Sequence, residues 1–283
     1  MITFDKLGGY GRLGNQLFQY AILKSVSLKT GYDIVLNPSI FTNKWHGQKC
    51  LLNNFTLKSL ILDKPTIKYN FREPINNLII SAKKYDERVY NVKPNTNFIG
   101  FFQNPKYYED IKEEIREEIK LKDEFNDWAK EFLKKYNNTT VSLHVRRGDV
   151  SDGTNKGCGW ANDFSNESYQ KKYYTKALET IPKDSTILLF TGGGRDNNNN
   201  KDYLWCKKNF TDERIIFMDN LNEMQTFSIM TKTDINIIGF KSTFGWWGAF
   251  LNEHENVYAP YNFNPTIKDI KPEMVYPEYF KLI

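Results

Sequence analysis

The second half of the chain alternates short apolar strands with amphipathic helices, and this alternation constrains the fold more than any other feature. The predicted strands are 141–145, 186–190, 214–218 and 234–240, and the predicted helices are 168–180 and 221–232. Strands that alternate with helices build a parallel sheet covered by helices on both faces. The sequence therefore predicts an α/β fold for this half.

The first half begins in the same way. A strand at 2–7 leads through a glycine-rich turn into a helix that ends near Thr30, where Gly31 is the expected stop, and a second strand follows at 32–36. Residues 38–100 show no clear period and are predicted to form irregular loops over a cleft. A short strand is expected at 98–103.

Apolar residues at helical spacing predict one or two amphipathic helices over 107–136, with Ile111, Ile115 and Ile119 on one face. The polar stretch that follows is the expected domain boundary. The sequence thus predicts an N-terminal domain at 1–137 and a C-terminal domain at 138–283, with a tail able to pack back on the first domain.

Composition limits the classes of protein that fit. The 283 residues are 40% hydrophobic and 15% aromatic, and the net charge of +5 comes from 39 basic and 34 acidic residues spread along the chain. Without a clustered basic surface a nucleic-acid partner is not expected. The three cysteines do not form a C-x-x-C pair, the start does not resemble a signal peptide, and no apolar run reaches the ~20 residues of a membrane helix. A cytoplasmic protein is expected, free or peripheral at the inner face of the membrane.

The stretch Ser142-Leu-His-Val-Arg-Arg-Gly-Asp-Val150 begins in a predicted buried strand, and charged residues follow the strand directly. Ligands of open α/β sheets bind beyond the carboxyl ends of strands, so Arg146 and Arg147 stand where an anion would lie. Asp149 is placed to lock one arginine and leave the other for the ligand. The alternative is that both arginines are solvated surface charges. His144 either contacts the ligand or is a satisfied core histidine.

The turn after the first strand contains Gly9, Gly11 and Gly14 in a G-x-G-x-x-G pattern before a helix. That pattern is typical of dinucleotide sites. However, the next strand ends in Asn37-Pro38 and offers no acid for a ribose, so an NAD-dependent oxidoreductase is the remote alternative. The glycines are better explained by a close backbone approach at a helix N-terminus.

A third motif begins a helix directly after a strand, at Lys241-Ser-Thr-Phe-Gly-Trp-Trp-Gly-Ala-Phe-Leu251. Ser242 is the expected N-cap, so the helix start would present backbone amides and a positive dipole end to a phosphate. Trp246 and Trp247 are expected to pack in the core.

These motifs resemble those of one enzyme family. His144-x-Arg146-Arg147-x-Asp149 is similar to the donor-binding motif of GDP-fucose-dependent fucosyltransferases. The segments 11–21 and 242–251 resemble two motifs of the α-1,2-fucosyltransferase family, glycosyltransferase family 11, and the tail at 275–279 resembles the C-terminal ending of the family. The motifs occur in the family order and cover nearly the whole chain.

The resemblance implies a GT-B fold, in which two Rossmann-like domains with parallel sheets face each other across a cleft. It implies inverting, metal-independent transfer of L-fucose from GDP-fucose to the 2-hydroxyl of a terminal galactose on a surface glycan such as an O-antigen or capsule. A galactose-terminated oligosaccharide would be the acceptor and GDP-fucose the donor, with no cofactor. The absence of any Asp-x-Asp sequence and the dispersed histidines agree with catalysis without a metal.

The resemblance also implies roles for residues. Arg146 and Asp149 are the predicted catalytic residues, and the predicted cleft residues and donor-binding residues form two further groups. The cleft group is Gly11, Arg12, Gly14, Asn15 and Gln16; the donor-binding group is His144, Arg146, Arg147, Thr191, Ser242, Thr243 and Phe244.

One segment departs from the family pattern. Where the family commonly has an acidic Phe-Ser-Asp-Asp-type turn, this chain has Phe190-Thr-Gly-Gly-Gly-Arg-Asp196. Thr191 stands for the serine, and Gly192 for the first acid. This leaves two alternatives open: a related GDP-sugar glycosyltransferase with another donor or acceptor hydroxyl, and a nucleotide-sugar-binding module without turnover.

Overall fold

The computed structural model divides the chain into two compact units. It describes residues 1–9, 11–42, 44–45, 48–74, 83–147, 167–192, 201–263 and 269–283. The first unit is Met1–Lys122 with Asp269–Pro277, and the second is Asp123–Lys268 with Glu278–Ile283. The sequence placed the boundary after residue 137, whereas the structure places it after Lys122, so the helix that starts at Asp123 belongs to the second unit.

The first unit contains nine strands and two helices within the described ranges. The strands are β1 (Ile2–Thr3), β2 (Ile34–Leu36), β3 (Lys44–Trp45), β4 (Gln48–Lys49), β5 (Phe55–Leu57), β6 (Leu60–Leu62), β7 (Tyr69–Arg72), β8 (Thr96–Ile99) and β9 (Ile119–Leu121). The helices are α1 (Leu13–Thr30) and α2 (Lys112–Glu118).

Five of these strands form a parallel sheet in the order β6-β2-β1-β8-β7. Two antiparallel pairs, β3–β4 and β5–β9, lie outside it. The prediction of irregular loops over 38–100 is wrong in part, because β6, β7 and β8 all come from this region. They are only three or four residues long, too short for a period to show in the sequence.

Helix α1 follows β1 and covers the sheet. Gly31 ends it in the left-handed conformation with φ 71°, and its N–H donates to the carbonyl of Ser27, which confirms the predicted stop. The predicted helical stripe over 107–136 is interrupted, since Ile119 lies in β9 and pairs with Leu57 of β5.

The second unit contains six strands and five helices within the described ranges. The strands are β10 (Thr140–Val145), β11 (Thr186–Thr191), β12 (Ile215–Phe217), β13 (Ile235–Ile237), β14 (Val257–Ala259) and β15 (Lys281–Leu282). The helices are α3 (Asp123–Leu133), α4 (Glu167–Thr180), α5 (Lys201–Asn209), α6 (Glu223–Met230) and α7 (Thr243–Phe250).

All six strands are parallel, in the order β12-β11-β10-β13-β14-β15. The predicted parallel α/β fold is confirmed. Strand β10 lies inside the sheet, between β11 and β13, so its carboxyl end is flanked by the ends of two neighbours. Residues from the C-terminal tail supply the edge strand β15.

The two faces of this sheet carry different cores. One face packs Val141, Leu143 and Val145 of β10 against α4 and α5, including Tyr173 and Trp205. The opposite face packs Leu188 and Phe190 of β11 against α3 and α6. The predicted core residues Trp246 and Trp247 of α7 are buried, and the Trp246 ring stacks on Phe250 at 4.8 Å.

Candidate active site

The carboxyl end of β10 distributes its side chains by the two-residue period of a strand. The odd-numbered residues Leu143 and Val145 enter the core beneath α4 and α5. His144 projects to the other face, where α7 begins, and its ring lies 5.7 Å from that of Phe244. The same alternation continues into the two arginines, so it decides what each of them contacts.

Arg146 links the end of β10 to the start of α7. Its Nη1 donates a hydrogen bond of 2.8 Å to the carbonyl of Lys241, the residue before the helix N-cap. Lys241 is buried and has a φ of 50°, which is uncommon for a residue with a side chain. The guanidinium of Arg146 is thus fixed beside the first amides of a helix, two features that both favour an anion.

Arg147 is buried on the opposite face, with 8% of its surface exposed. Its guanidinium lies 4.0 Å from the ring centroid of Trp205, its Nη1 donates to Gln170 at 3.2 Å, and its Nε is 3.6 Å from Asp202. These contacts join β10 to α4 and α5. Arg147 is therefore held as a structural cation, away from Arg146, while Asp149 lies outside the described residues.

His144 and Ser242 meet at the helix start. Nδ1 of His144 lies 3.2 Å from Oγ of Ser242, and this oxygen also accepts the N–H of Gly245 at 2.9 Å. Ser242 is the N-cap of α7, as predicted. Burial, and then the charge of Arg146, lower the pKa of His144 to about 3, so the imidazole is neutral at physiological pH.

Two glycines let these groups approach each other. A Cβ on Gly245 would stand 2.9 Å from Nδ1 of His144, and a Cβ on Gly239 would stand 2.8 Å from the His144 carbonyl oxygen. Neither glycine was among the predicted site residues. The sequence signal was a glycine near the end of the predicted strand at 234–240 and another in the first turn of the helix that follows, in the segment 239–245.

Thr243 and Phe244 form the first residues of α7. The Phe244 ring packs edge-on against Phe227 of α6 at 5.2 Å and so anchors the helix start to the core. The predicted residues His144, Arg146, Ser242, Thr243 and Phe244 are therefore together at one end of the sheet.

Thr191 is not part of this group. It continues the face of Leu189, on the side of α5, where burial raises the pKa of Cys206 to about 12. The hydroxyl is buried there. Gly192 follows with a φ of 83°, and residues 193–200 lie outside the described ranges.

The five predicted cleft residues lie at the start of α1 in the first unit. Gly11 has a φ of 104°, and a Cβ on it would overlap the amide of Asn15. The buried amide of Gln16 accepts the N–H of Leu51 at 2.8 Å and donates to the carbonyl of Lys49 at 3.1 Å. Gln16 thus fastens the helix to the segment around β4, while Arg12 is exposed at the N-cap position and Gly14 is buried in the first turn.

Two features typical of other functional classes do not occur in the part of the chain that the structure describes. There, no group of three or more His, Cys, Asp or Glu side chains is arranged to hold a metal ion. No helix in the same part has the length and apolar character needed to cross a membrane.

Several known proteins are similar to this chain. The chain is 25% identical to galactoside alpha-(1,2)-fucosyltransferase 2 of Gorilla gorilla gorilla, over 96% of this chain and 77% of that protein. It is 24% identical to an alpha-1,2-colitosyltransferase of Escherichia coli, over 87% of this chain and 86% of that protein. The crystal structure of NodZ alpha-1,6-fucosyltransferase soaked with GDP-fucose matches the fold with a TM-score of 0.53 and 14% identity, covering 88% of this chain and 91% of that one.

The resemblance found in the three motifs is confirmed at the level of the whole chain. The model of the family described as Glycosyl transferase family 11 matches residues 7–276. The prediction of an enzyme that transfers a glycosyl group is confirmed with it. By this match, the chain belongs to glycosyl transferase family 11.

Proposed function

We propose that the chain transfers L-fucose from GDP-fucose to the 2-hydroxyl of a terminal galactose on a glycan, with inversion and without a metal. The observation that carries the proposal is the meeting of Arg146, the N-terminus of α7 and neutral His144 at the carboxyl end of β10. The identity with a galactoside alpha-(1,2)-fucosyltransferase supports the donor and the acceptor.

In this proposal the diphosphate of the donor lies against Arg146 and the first amides of α7. Cleavage of the bond between fucose and phosphate leaves negative charge on GDP, and the guanidinium and the helix dipole stabilise that charge. A fixed cation and fixed amides replace the metal that other glycosyl transfers use. The neutral state of His144 keeps a second positive charge from repelling Arg146 and leaves its ring free to hold Ser242.

The catalytic pair of Arg146 and Asp149 and the remaining donor contacts are part of the same proposal. The proposal also includes the GT-B architecture, in which the first unit binds the acceptor through the residues at the start of α1. Since the two arginines have separate environments, we assign Arg146 to the donor and Arg147 to the support of β10. Asp149 keeps its predicted role as the carboxylate that orients an arginine.

The test is release of GDP from GDP-fucose with lactose as acceptor, in EDTA, beside a reaction without acceptor and one with GDP-mannose. We expect release that depends on both GDP-fucose and lactose, and a product whose new linkage is α-1,2. Release that requires an added divalent cation would contradict metal independence. GDP binding without release, on a panel of galactose-terminated glycans, would favour a binding module.

A second donor is a candidate because the turn after β11 departs from the family pattern at Thr191 and Gly192. One relative is named for colitose, so this family includes transfer of another sugar. A panel of GDP-sugars with the same acceptor separates the candidates. Turnover that is fastest with a donor other than GDP-fucose would replace the fucose assignment and keep the reaction type.

We also infer that the protein works in the cytoplasm, at or near the inner face of a membrane that carries lipid-linked glycan. The net charge of +5 suits an anionic surface. Sedimentation with vesicles tests this: we expect more binding to vesicles with anionic lipid than to zwitterionic ones. Equal recovery in both supernatants would favour a protein free in solution.

A further inference from the structure

A chain of buried hydrogen bonds in the first unit ends on the amide of Asn15. Lys83 Nζ donates to Gln103 Oε1 at 2.6 Å, and Gln103 Nε2 donates to Asn15 Oδ1 at 2.8 Å. Lys83 is 3% exposed and Gln103 is 5% exposed. Three side chains from separate segments thus meet at the first turn of α1.

The chemistry of Lys83 determines the direction of this chain. An ammonium group only donates hydrogen bonds, and Nζ of Lys83 faces Oε1 of Gln103, which is the amide oxygen. The NH2 group of Gln103 then faces Asn15 and requires an acceptor, which only Oδ1 provides. Asn15 is left with its own NH2 group directed away from Gln103, against Gly11, whose missing side chain makes room for it.

The surroundings hold this arrangement rigidly. The carboxylate of Glu73, which is 3% exposed, accepts the N–H groups of Phe101 at 2.7 Å and Phe102 at 3.2 Å. Asn104 Nδ2 donates to the carbonyl of Lys83 at 2.6 Å. Burial lowers the pKa of Lys83 to about 7 while the charge of Glu73 opposes that shift. The loop that carries Gln103 is therefore tied on both sides.

The position of the chain also points to substrate. Gln103 follows β8, Glu73 follows β7, and Asn15 lies on the helix after β1, so all three stand at the carboxyl edge of the first parallel sheet. That edge is where open α/β sheets bind ligands. Burying the Lys83 amine at this edge of the sheet costs desolvation free energy. A purely structural contact between two loops could be made without a buried amine and without that cost.

We propose that Lys83 and Gln103 are positioning residues that fix the Asn15 amide as a hydrogen-bond donor to an oxygen of the acceptor sugar. This rests on the proposed function, since it assumes that the first unit binds the acceptor. Asn15 is the contact residue in this proposal. Lys83 and Gln103 act through it by excluding the flipped amide, which would present an acceptor oxygen instead.

The decisive variant is Gln103→Glu. The new carboxylate accepts from Lys83 and cannot donate, so the Asn15 amide must turn to give it an N–H and present its oxygen to the substrate. All buried partners stay satisfied and the added charge faces an amine, so the fold is expected to survive. We expect the KM for acceptor to rise about tenfold or more, with the Kd for GDP and the Tm close to those of the parent.

A panel of deoxy-galactosides tests the positioning role directly, because a purely structural role of Gln103 would not change how kcat/KM depends on single acceptor hydroxyls. In the parent, removal of one acceptor oxygen should reduce kcat/KM, and in Gln103→Glu the same removal should have little further effect. The control is Tyr20→Phe, which removes a buried 2.5 Å hydrogen bond to Glu118 elsewhere on α1. It should lower the Tm and leave the acceptor KM unchanged. An acceptor KM for Gln103→Glu within twofold of the parent would overturn the proposal.

The amide orientation can be measured separately from turnover. With asparagine labelled by 15N, the NH2 protons of Asn15 should exchange with water more slowly in Gln103→Glu than in the parent, because they then donate to the buried carboxylate. Unchanged exchange would overturn the positioning role. If the parent transfers no sugar to any galactoside while the exchange changes as expected, the proposed function fails and the hydrogen-bond chain stands.

Discussion

Arg146 and Arg147 are adjacent in the chain and occupy opposite faces of one sheet. Arg146 donates to the carbonyl of Lys241 at the start of α7, whereas the guanidinium of Arg147 lies 4.0 Å from the ring centroid of Trp205 on α5. The period of β10 separates them. One basic pair therefore serves two purposes, and each arginine should respond differently to the same substitution.

Arg146→Ala should damage catalysis far more than stability. If the side chain pairs with the diphosphate, its loss should cost about 2–5 kcal/mol of transition-state stabilisation, or roughly 30-fold to several thousand-fold in kcat/KM. Steady-state kinetics with GDP-fucose would show this. Arg146→Lys keeps the charge and loses the planar guanidinium, so its kcat/KM should lie between those of the parent and Arg146→Ala. Near-parental kcat/KM for Arg146→Ala would remove Arg146 from the proposed donor site.

Arg147→Lys should instead lower stability. An ammonium group cannot reproduce both the contact with the Trp205 ring and the hydrogen bond to Gln170, so we expect a loss of about 1–3 kcal/mol in the free energy of unfolding. Urea denaturation at pH 7 measures it. The Kd for GDP, from calorimetry on the folded fraction, should change by less than about threefold. A large loss of GDP affinity at unchanged stability would place Arg147 in the donor site instead.

The sequence predicted the second sheet and the grouping at α7 because both depend on local patterns. The strands of that sheet are apolar runs, and a serine before a helix is a local N-cap signal. The sequence could also have predicted that Arg146 and Arg147 lie on opposite faces, if the two-residue period of the strand had been extended past Val145. The same period places Thr191 on the face of Leu189, apart from His144 and Ser242.

Other features depend on contacts between distant segments, and no local pattern contains them. Gln103 and Asn15 are far apart in sequence and meet only because β1 and β8 are neighbours in the sheet. Nothing in the local sequence distinguishes Lys83 from the other lysines, so its burial could not be predicted without the fold. The short strands β6, β7 and β8 owe their existence to pairing in the sheet and not to their own propensity.

Gly245→Ala should weaken donor binding through His144. The added methyl group would stand 2.9 Å from Nδ1 of His144 and 3.3 Å from Oγ of Ser242, so at least one of these groups must move. A displacement of this kind can reduce kcat/KM on the order of 10- to 100-fold. The matched control is Gly248→Ala, about one turn later, whose methyl would stand 3.0 Å from Cβ and 3.2 Å from Cε of Met230, away from His144. It should affect stability with little change in the Kd for GDP, and equal kinetic effects in both variants would contradict the prediction.

His144 should make the fold sensitive to acid. Burial lowers the pKa of His144 to about 3, whereas an unfolded histidine titrates near its ordinary value of 6.5. Between these values the unfolded chain binds a proton that the folded chain does not, so the contribution of His144 to stability is present above pH 6.5 and declines as the pH falls toward 3.

The variant His144→Gln has no titrating group at this position and removes that pH dependence. We expect the free energy of unfolding of the parent to fall more steeply from about pH 7 to about pH 4.5 than that of the variant, as measured by urea denaturation at each pH. The same slope in both proteins would show that folding leaves the pKa of His144 near its ordinary value, and would contradict the burial of a neutral imidazole beside Arg146.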